Sequence, residues 1–168
     1  MPSYYLSDKD LSFIVKYLEN DLRELKGYSI FITGATGIIG KWLLASLLFA
    51  DDELNLNLSI SILTRSKKKF GDKYPLLCHD RRVTVIEEDV RYFCIDNKVD
   101  LFIHGAADVV NVNTESETYV SNILGTYNSL LQATKSKAKR FLYLSSGAVY
   151  GKSEIQEKGI NEDYRGEI

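Results

Sequence analysis

The sequence has 168 residues, enough for one domain with a sizeable hydrophobic core and too few for two domains of ordinary size. Hydrophobic residues make up 45% and charged residues 26%, and the formal net charge of -2 gives no basic field that would attract nucleic acid or anionic lipid. No apolar run approaches the ~20 residues of a membrane-spanning helix, and the N-terminus lacks the features of a signal peptide. Cys78 and Cys94 have no metal-ligand spacing, so we expect reduced thiols in a soluble, cytoplasmic protein without a metal site.

The first predicted element is an amphipathic helix that precedes the domain proper. Leucine, isoleucine and valine recur at helical spacing from Leu11 to Leu25, with charged residues between them. Ser7 or Asp8 is a suitable N-cap, and Gly27 is a suitable stop. A helix of this kind covers either the edge of a sheet or the surface of a partner.

The rest of the chain alternates predicted strands with predicted helices. Strands are predicted at 28–33, 58–63, 82–86, 100–104 and 140–145. Between them lie an apolar helix at 38–50, an acidic and Asn-rich loop at 51–57, a polar segment at 67–80 interrupted at Pro75, and a long helix at 114–137 that opens with the capping-box pattern Thr114-x-x-Glu117. Because parallel neighbours need a crossover, the alternation predicts an α/β fold: a Rossmann-type, doubly wound parallel sheet of about five strands with helices on both faces.

A glycine-rich turn lies where the first strand passes into its helix. It reads Thr33-Gly34-Ala35-Thr36-Gly37-Ile38-Ile39-Gly40. In such a turn the first glycine permits the tight bend, the second allows the backbone to approach a pyrophosphate, and the third allows the helix to pack on the strand. The helix N-terminus then offers free N–H groups to the phosphates. The turn therefore predicts a dinucleotide site; the alternative is an ordinary strand-to-helix connection. The predicted contacts here are Thr33, Gly34, Thr36, Gly37, Ile38, Ile39 and Gly40.

With four further motifs in order, this turn resembles the TGxxGxxG signature of the extended short-chain dehydrogenases/reductases, the NAD-dependent epimerase/dehydratase family. The further motifs are Glu88-Asp89-Val90, His104-Gly105-Ala106-Ala107, Asn122 with Gly125-Thr126, and Ser145-Ser146-Gly147-Ala148-Val149-Tyr150-Gly151. The resemblance covers about residues 28 to 151. It implies that the cofactor is contacted by Asp89, Val90, Gly105, Ala106, Ala107, Asn122 and Ser145. Taken singly, Asp89 is equally a turn residue, His104 a core histidine and Asn122 a solvated helix residue.

The end of the second strand bears on the choice between NAD and NADP. An acidic residue there binds the ribose 2′-hydroxyl of NAD, whereas an arginine accommodates the 2′-phosphate of NADP. The sequence reads Leu63-Thr64-Arg65-Ser66, followed by three lysines, and contains no acid at this place. We therefore predict cofactor contacts from Thr64 and Arg65 and a preference for NADP over NAD. The alternative is that the lysines solvate a helix start and Arg65 stacks on the adenine.

The resemblance also implies a catalytic Ser–Tyr–Lys arrangement, in which Ser146 is the serine and Ser145 is its neighbour if the alignment shifts by one. No Tyr-x-x-x-Lys pair follows Ser146, because Glu154 stands four residues after Tyr150 and Ile168 four after Tyr164. We therefore expect an N-terminal extension at 1–27, an NAD(P)-binding domain at 28–151, and a loop at 152–168 that leads to a missing C-terminal part with the Tyr, the Lys and a substrate domain. The chain alone is expected to be inactive.

The residues after Ser146 narrow the implied reaction. The 4,6-dehydratases of this family have two acidic residues there, and the decarboxylases have a glutamate at the second place, where this sequence has Gly147 and Ala148. The loop looks more like that of 4-epimerases or 4-ketoreductases acting on nucleotide-linked sugars. A non-catalytic NAD(P)-binding, redox-sensing module, a dehydratase or decarboxylase, and a reductase of acyl or flavonoid carbonyls remain alternatives. Family members dimerise through two long helices, so the full-length protein is expected to be a homodimer, and this chain to self-associate weakly or differently.

Overall fold

The structure is a computed structural model that describes residues 4–108, 115–151 and 159–164. Its helices are α1 Asp8–Tyr17, α2 Glu19–Arg23, α3 Ile38–Leu54, α4 Lys67–Lys73, α5 Pro75–Cys78 and α6 Glu115–Lys135. Its strands are β1 Ser29–Thr33, β2 Ser59–Thr64, β3 Val83–Glu87, β4 Leu101–His104 and β5 Arg140–Tyr143. A short 3₁₀ helix, Gly147–Tyr150, follows β5. Within the described residues, no helix combines the length and the apolar character needed to cross a membrane.

The five strands form one parallel sheet in the order β3-β2-β1-β4-β5. Phe31 of β1 pairs in register with Ser61 of β2 on one side and with Phe102 of β4 on the other. The strand order reverses between β1 and β4, and ligands of such sheets bind outside the carboxyl ends of the strands at that point. The predicted fold class is confirmed.

Alternating side chains of the strands build two cores, one on each face of the sheet. Ile30 and Ile32 of β1 belong to a core shared with α1, α3, α4 and α5, whereas Phe31 belongs to a second core on the opposite face. Aromatic rings stack along this second core, with centroids 5.4 Å apart for Phe31 and Phe93 and 5.0 Å apart for Phe31 and Phe102. Both faces are therefore buried at the central strands β1 and β4, as a doubly wound sheet requires, whereas β5 at the edge is largely exposed.

The N-terminal segment differs from the single helix that its sequence predicts. The Ser7 hydroxyl caps α1 by accepting from the Asp10 N–H, but the helix breaks at Leu18, which has φ -106° and ψ 16°. Leu22 and Leu25, beyond the break, pack against the same core as α1. Helical periodicity does not specify a break of this kind, because the same leucine spacing fits one continuous helix.

Helix α3 extends through a segment predicted as a loop. Residues 51–54 are helical, and the helix ends at Asn55, whose φ of 52° is left-handed. The Arg82 guanidinium donates to Asp51 at 2.9 Å, to Asp52 at 2.7 Å and to Asp80 at 2.6 Å, and the Tyr4 hydroxyl lies 2.9 Å from it. These contacts hold the last turn of α3 against the start of β3.

The remaining predicted elements agree with the structure to within one or two residues. The polar segment at 67–80 forms α4 and α5, separated before Pro75 as predicted. The long helix α6 is present, but its predicted cap, Thr114, lies outside the described residues. The single tryptophan of the chain, Trp42, lies in the second turn of α3 and is partly buried.

Candidate functional site

A cleft of about 830 Å³ opens at the carboxyl ends of the strands, a size typical of small-molecule sites. Most residues predicted to contact a cofactor line it. They are Gly34, Thr36, Gly37, Ile38, Ile39, Gly40, Thr64, Arg65, Asp89, Val90, Gly105, Ala106, Ala107, Asn122 and Ser145. They come from six separate stretches of the chain: five lie at the carboxyl ends of the parallel strands, and the sixth, Asn122, lies on α6.

The glycine turn presents backbone to the cleft at Gly34 and Gly40, because neither position has room for a side chain. Gly34 has a φ of +76°, and a Cβ atom on it would lie 2.4 Å from the carbonyl carbon of Gly105. A Cβ atom on Gly40 would lie 2.1 Å from the Gly34 carbonyl oxygen. Helix α3 begins at Ile38 with no side-chain cap and no acidic residue in its first turn. The turn and the uncapped helix start therefore fit the diphosphate of a dinucleotide.

Thr33 does not line the cleft but holds its floor. Its buried hydroxyl oxygen accepts from the N–H groups of Gly105 and Ala106, each at 3.2 Å, and lies 2.6 Å from Nδ1 of His104. With two donors directed at that oxygen, the Thr33 hydrogen is available to His104 Nδ1, which is then the unprotonated ring nitrogen. The Nε2–H accordingly donates to Thr126 Oγ1 at 3.1 Å.

His104 is a neutral member of this network. It is 1% exposed, and burial lowers the pKa of its imidazole to about 4. The Ser129 hydroxyl lies 3.1 Å from its Nδ1, and the ring of Tyr143 stacks on it with centroids 5.6 Å apart. The histidine therefore joins the ends of β1 and β4 to α6 and β5.

Charged side chains line the cleft around the glycine turn. The Arg91 guanidinium donates to Asp89 at 2.8 Å and holds the pKa of that carboxyl below its usual range. Arg65 pairs with Asp108 at 3.4 Å across the cleft. Asn122 acts on the loop after β4, because its Oδ1 accepts from the Asp108 N–H at 2.8 Å.

Several further residues line the cleft that were not predicted as cofactor contacts, although Leu63 and Glu88 stand next to predicted ones. The further residues are Leu63, Glu88, Arg91, Asp108, Glu117, Ser121 and Leu144. Asp108 directly follows the HGAA segment, so its place in the chain was a usable signal, whereas Glu117 and Ser121 reach the cleft only through the orientation of α6. Within the described residues, no group of three or more His, Cys, Asp or Glu side chains is arranged to hold a metal ion.

The two serines after β5 are placed differently. Ser145 lines the cleft, whereas Ser146 does not, and the Ser146 hydroxyl accepts from the Ala148 N–H at 3.2 Å to cap the 3₁₀ helix. A Tyr-x-x-x-Lys spacing does occur ahead of β1, at Tyr5 and Lys9. The Tyr5 hydroxyl, however, accepts from the Leu76 N–H at 3.2 Å, and neither residue lines the cleft.

The sequence model of the NAD dependent epimerase/dehydratase family matches residues 30–166. The chain belongs to this family. Its cofactor is accordingly of the NAD(P) type, in agreement with the backbone-lined turn, and the family is enzymatic. The resemblance inferred from the five motifs is thereby confirmed. No curated protein matches the chain.

Solved structures show the same fold. Pen from Bacillus thuringiensis is 24% identical with a TM-score of 0.64, over 76% of this chain and 40% of that one. The epimerase Mth375 from Methanothermobacter thermautotrophicus is 22% identical with a TM-score of 0.64, over 90% and 47%. The UDP-glucuronic acid 4-epimerase from Bacillus cereus, solved with NAD, is 24% identical with a TM-score of 0.57, over 75% and 42%. This family member thus spans less than half the length of each of these proteins.

Proposed function

We propose that this chain is the cofactor-binding part of an enzyme that modifies a nucleotide-linked sugar by hydride transfer at C4, as a 4-epimerase or a 4-ketoreductase. The observation that carries the proposal is the turn at Gly34, where the backbone packs against that of Gly105 without room for a side chain, in a cleft that Ser145 also lines. The family match and the 4-epimerase among the structural neighbours support the substrate class.

Each part of the cleft has a role in this proposal. The N–H groups at the start of α3 bind the diphosphate, and Thr33 and Asn122 hold the loop after β4 along the cofactor. The nicotinamide of the bound cofactor supplies the hydride acceptor or donor. Ser146 orients the sugar hydroxyl, which requires its hydroxyl to turn away from the Ala148 N–H that it now accepts from.

The loop after Ser146 favours epimerisation or ketone reduction over elimination. Gly147 and Ala148 are exposed and carry no group that transfers a proton. A 4-epimerase returns the hydride to the opposite face of a 4-keto sugar, whereas a 4-ketoreductase consumes NADPH. A dehydratase or decarboxylase needs an acidic side chain that this loop does not provide.

The proposed organisation assigns residues 1–27 to an extension, 28–151 to the NAD(P)-binding domain and 152–168 to a segment leading to a substrate-binding part. The full-length protein, on this proposal, binds a nucleotide sugar and forms a homodimer. Because no Tyr-x-x-x-Lys pair follows Ser146, we expect the chain alone to turn over nucleotide sugars negligibly. A second candidate is a non-catalytic NAD(P)-binding module, which is favoured by the Ser146 hydroxyl accepting from the Ala148 N–H and lying outside the lining of the cleft. Robust turnover by this chain would contradict both expectations.

We further propose that NADP is preferred over NAD. Arg65 follows β2 directly, its side chain is 76% exposed, and no acid occupies the end of that strand. Titration with NADPH and NADH tests this preference, which we expect to be about tenfold or more, the usual effect of a charge-assisted arginine–phosphate contact. Arg65→Ala should abolish it, and Lys68→Ala, at an exposed lysine that does not line the cleft, should preserve it. Equal affinities in the unmodified chain would refute the proposal.

A further inference from the structure

The Arg65–Asp108 ion pair spans the place where a dinucleotide would enter. Arg65 directly follows β2, Asp108 lies in the loop after β4, and these strands flank β1 on opposite sides. The carboxyl ends of parallel strands meet at one edge of a sheet, so a contact from β2 to β4 must pass over the end of β1. The Gly34 turn emerges at that end. The 3.4 Å contact between the Arg65 guanidinium and the Asp108 carboxylate therefore bridges the cleft above the glycine turn.

The two partners are held very differently. The Asp108 carboxylate also accepts from the Ser121 hydroxyl at 2.7 Å, and the Asp108 backbone exchanges hydrogen bonds with the Asn122 side chain at 2.8 and 3.3 Å. The Asp108 side chain is 21% exposed, whereas that of Arg65 is 76% exposed. Asp108 is thus fixed to α6, and the long Arg65 side chain is the partner that can swing away.

A carboxylate and a phosphate compete for the same guanidinium, because each offers oxygen pairs that match its planar donors. We propose that Asp108 is a specificity-determining residue: its ion pair with Arg65 is a latch across the cleft, and a cofactor phosphate binds Arg65 by displacing this carboxylate. The inference rests on the proposed function only in requiring that the cleft takes a phosphorylated dinucleotide. An exposed pair of this kind is weak, so a phosphate can open it.

The latch predicts that removing the carboxylate strengthens binding, but only while Arg65 is present. Binding of NADPH and NADH is measured by calorimetry on the whole chain with Asp108→Asn, Arg65→Ala and the double variant. The Asp108→Asn side chain is isosteric and keeps an oxygen for Ser121. We expect this variant to bind NADPH about two- to fivefold more tightly than the unmodified chain does. In the Arg65→Ala background, the same change should have no effect. Glu88→Gln, which removes a charge from another residue lining the cleft, is the matched control and should behave alike in both backgrounds.

Each outcome is decisive. If Asp108→Asn increases cofactor affinity equally with and without Arg65, Asp108 acts only by repelling the negative charge of the cofactor. If Asp108→Asn weakens binding, Asp108 only supports its loop. Either result overturns the latch. If Asp108→Asn tightens NADPH and NADH equally through Arg65, the group that opens the latch is one that both cofactors share, and the proposal that Asp108 determines specificity is overturned. If neither the unmodified chain nor Asp108→Asn binds either cofactor, the latch and the proposed function both fall. Unchanged circular dichroism spectra verify that each variant is folded.

Discussion

At the scale of single residues, the contact between Gly34 and Gly105 sets the shape of the cleft floor. Gly34→Ala would place a methyl group 2.4 Å from the Gly105 backbone and would strain a φ of +76°. We expect it to abolish cofactor binding and to lower the melting temperature. Gly27→Ala separates the two causes, because Gly27 has nearly the same φ, +75°, with nothing within 4 Å of its Cβ position. It should cost about 1 kcal/mol and leave binding intact; tight binding by Gly34→Ala would show that the turn is not the phosphate site.

The buried His104 makes stability depend on pH. Its pKa of about 4 in the fold lies below the 6.5 of an exposed histidine, so between these values only the unfolded chain takes up the proton. Stability should therefore fall as the pH drops from about 6.5 to about 4, by up to about 3 kcal/mol. Urea unfolding at several pH values measures this slope, which His104→Gln should flatten.

Carboxyl groups whose pKa is lowered, such as Asp80 and Asp89, destabilise the fold on protonation below this window. If stability depends on pH equally in His104→Gln and in the unmodified chain, His104 is not the group responsible for this dependence.

Residues of the cleft were predictable from sequence where a motif fixes the backbone. The glycine turn and the Gly105 to Ala107 segment lie where their spacing predicts, because strand ends and helix starts determine their positions. Thr33 lines no part of the cleft, since alternation along β1 turns its side chain to His104. The partners of Arg65 and Asp89 could not be predicted, because both ion pairs depend on how side chains meet in the folded cleft.

At the scale of elements, Arg82 joins the N-terminal segment, α3 and β3. Its side chain is 13% exposed, and those of Asp51 and Asp80 are 9% and 12% exposed. Arg82→Ala would leave these carboxylates nearly buried without their cation, which typically costs about 3–5 kcal/mol. Urea unfolding should show this loss, whereas Arg81→Ala, at the exposed neighbouring arginine, should change stability little. A similar small effect of both variants would show that the cluster is solvated.

Elements that follow from a local sequence pattern were predicted well, whereas those that depend on distant residues, such as the Arg82 cluster, were not. Each strand is a short run of β-branched and aromatic residues, so its place follows from local pattern. The place of the last turn of α3 does not, because Asp51 and Asp52 are typical of loops, and the arginine that pairs with them, Arg82, lies 31 and 30 positions further along the chain. The break at Leu18 is likewise not visible in the leucine spacing, which fits one continuous helix.

At the scale of the whole molecule, α6 carries an apolar stripe on its outer side. Tyr119, Ile123 and Tyr127 recur every four residues and are 69%, 64% and 66% exposed, and Leu130 continues the stripe. We expect weak, concentration-dependent self-association of the chain through this surface, measured by light scattering. Ile123→Lys should reduce it, and Thr134→Lys, at an exposed polar position of the same helix, should not. A dimer that resists dilution, or association that Ile123→Lys leaves unchanged, would contradict this expectation.

The position of Trp42 allows cofactor binding to be followed by the fluorescence of the protein itself. No other tryptophan is present, so the ultraviolet emission of indole comes from one point, two residues after Gly40 in the helix whose first turn borders the cleft. Reduced nicotinamide absorbs at the wavelengths where indole emits. A reduced dinucleotide bound at the glycine turn is therefore expected to quench the Trp42 fluorescence by energy transfer. Binding of the reduced cofactor can thus be followed in solution without a label and without any catalytic turnover.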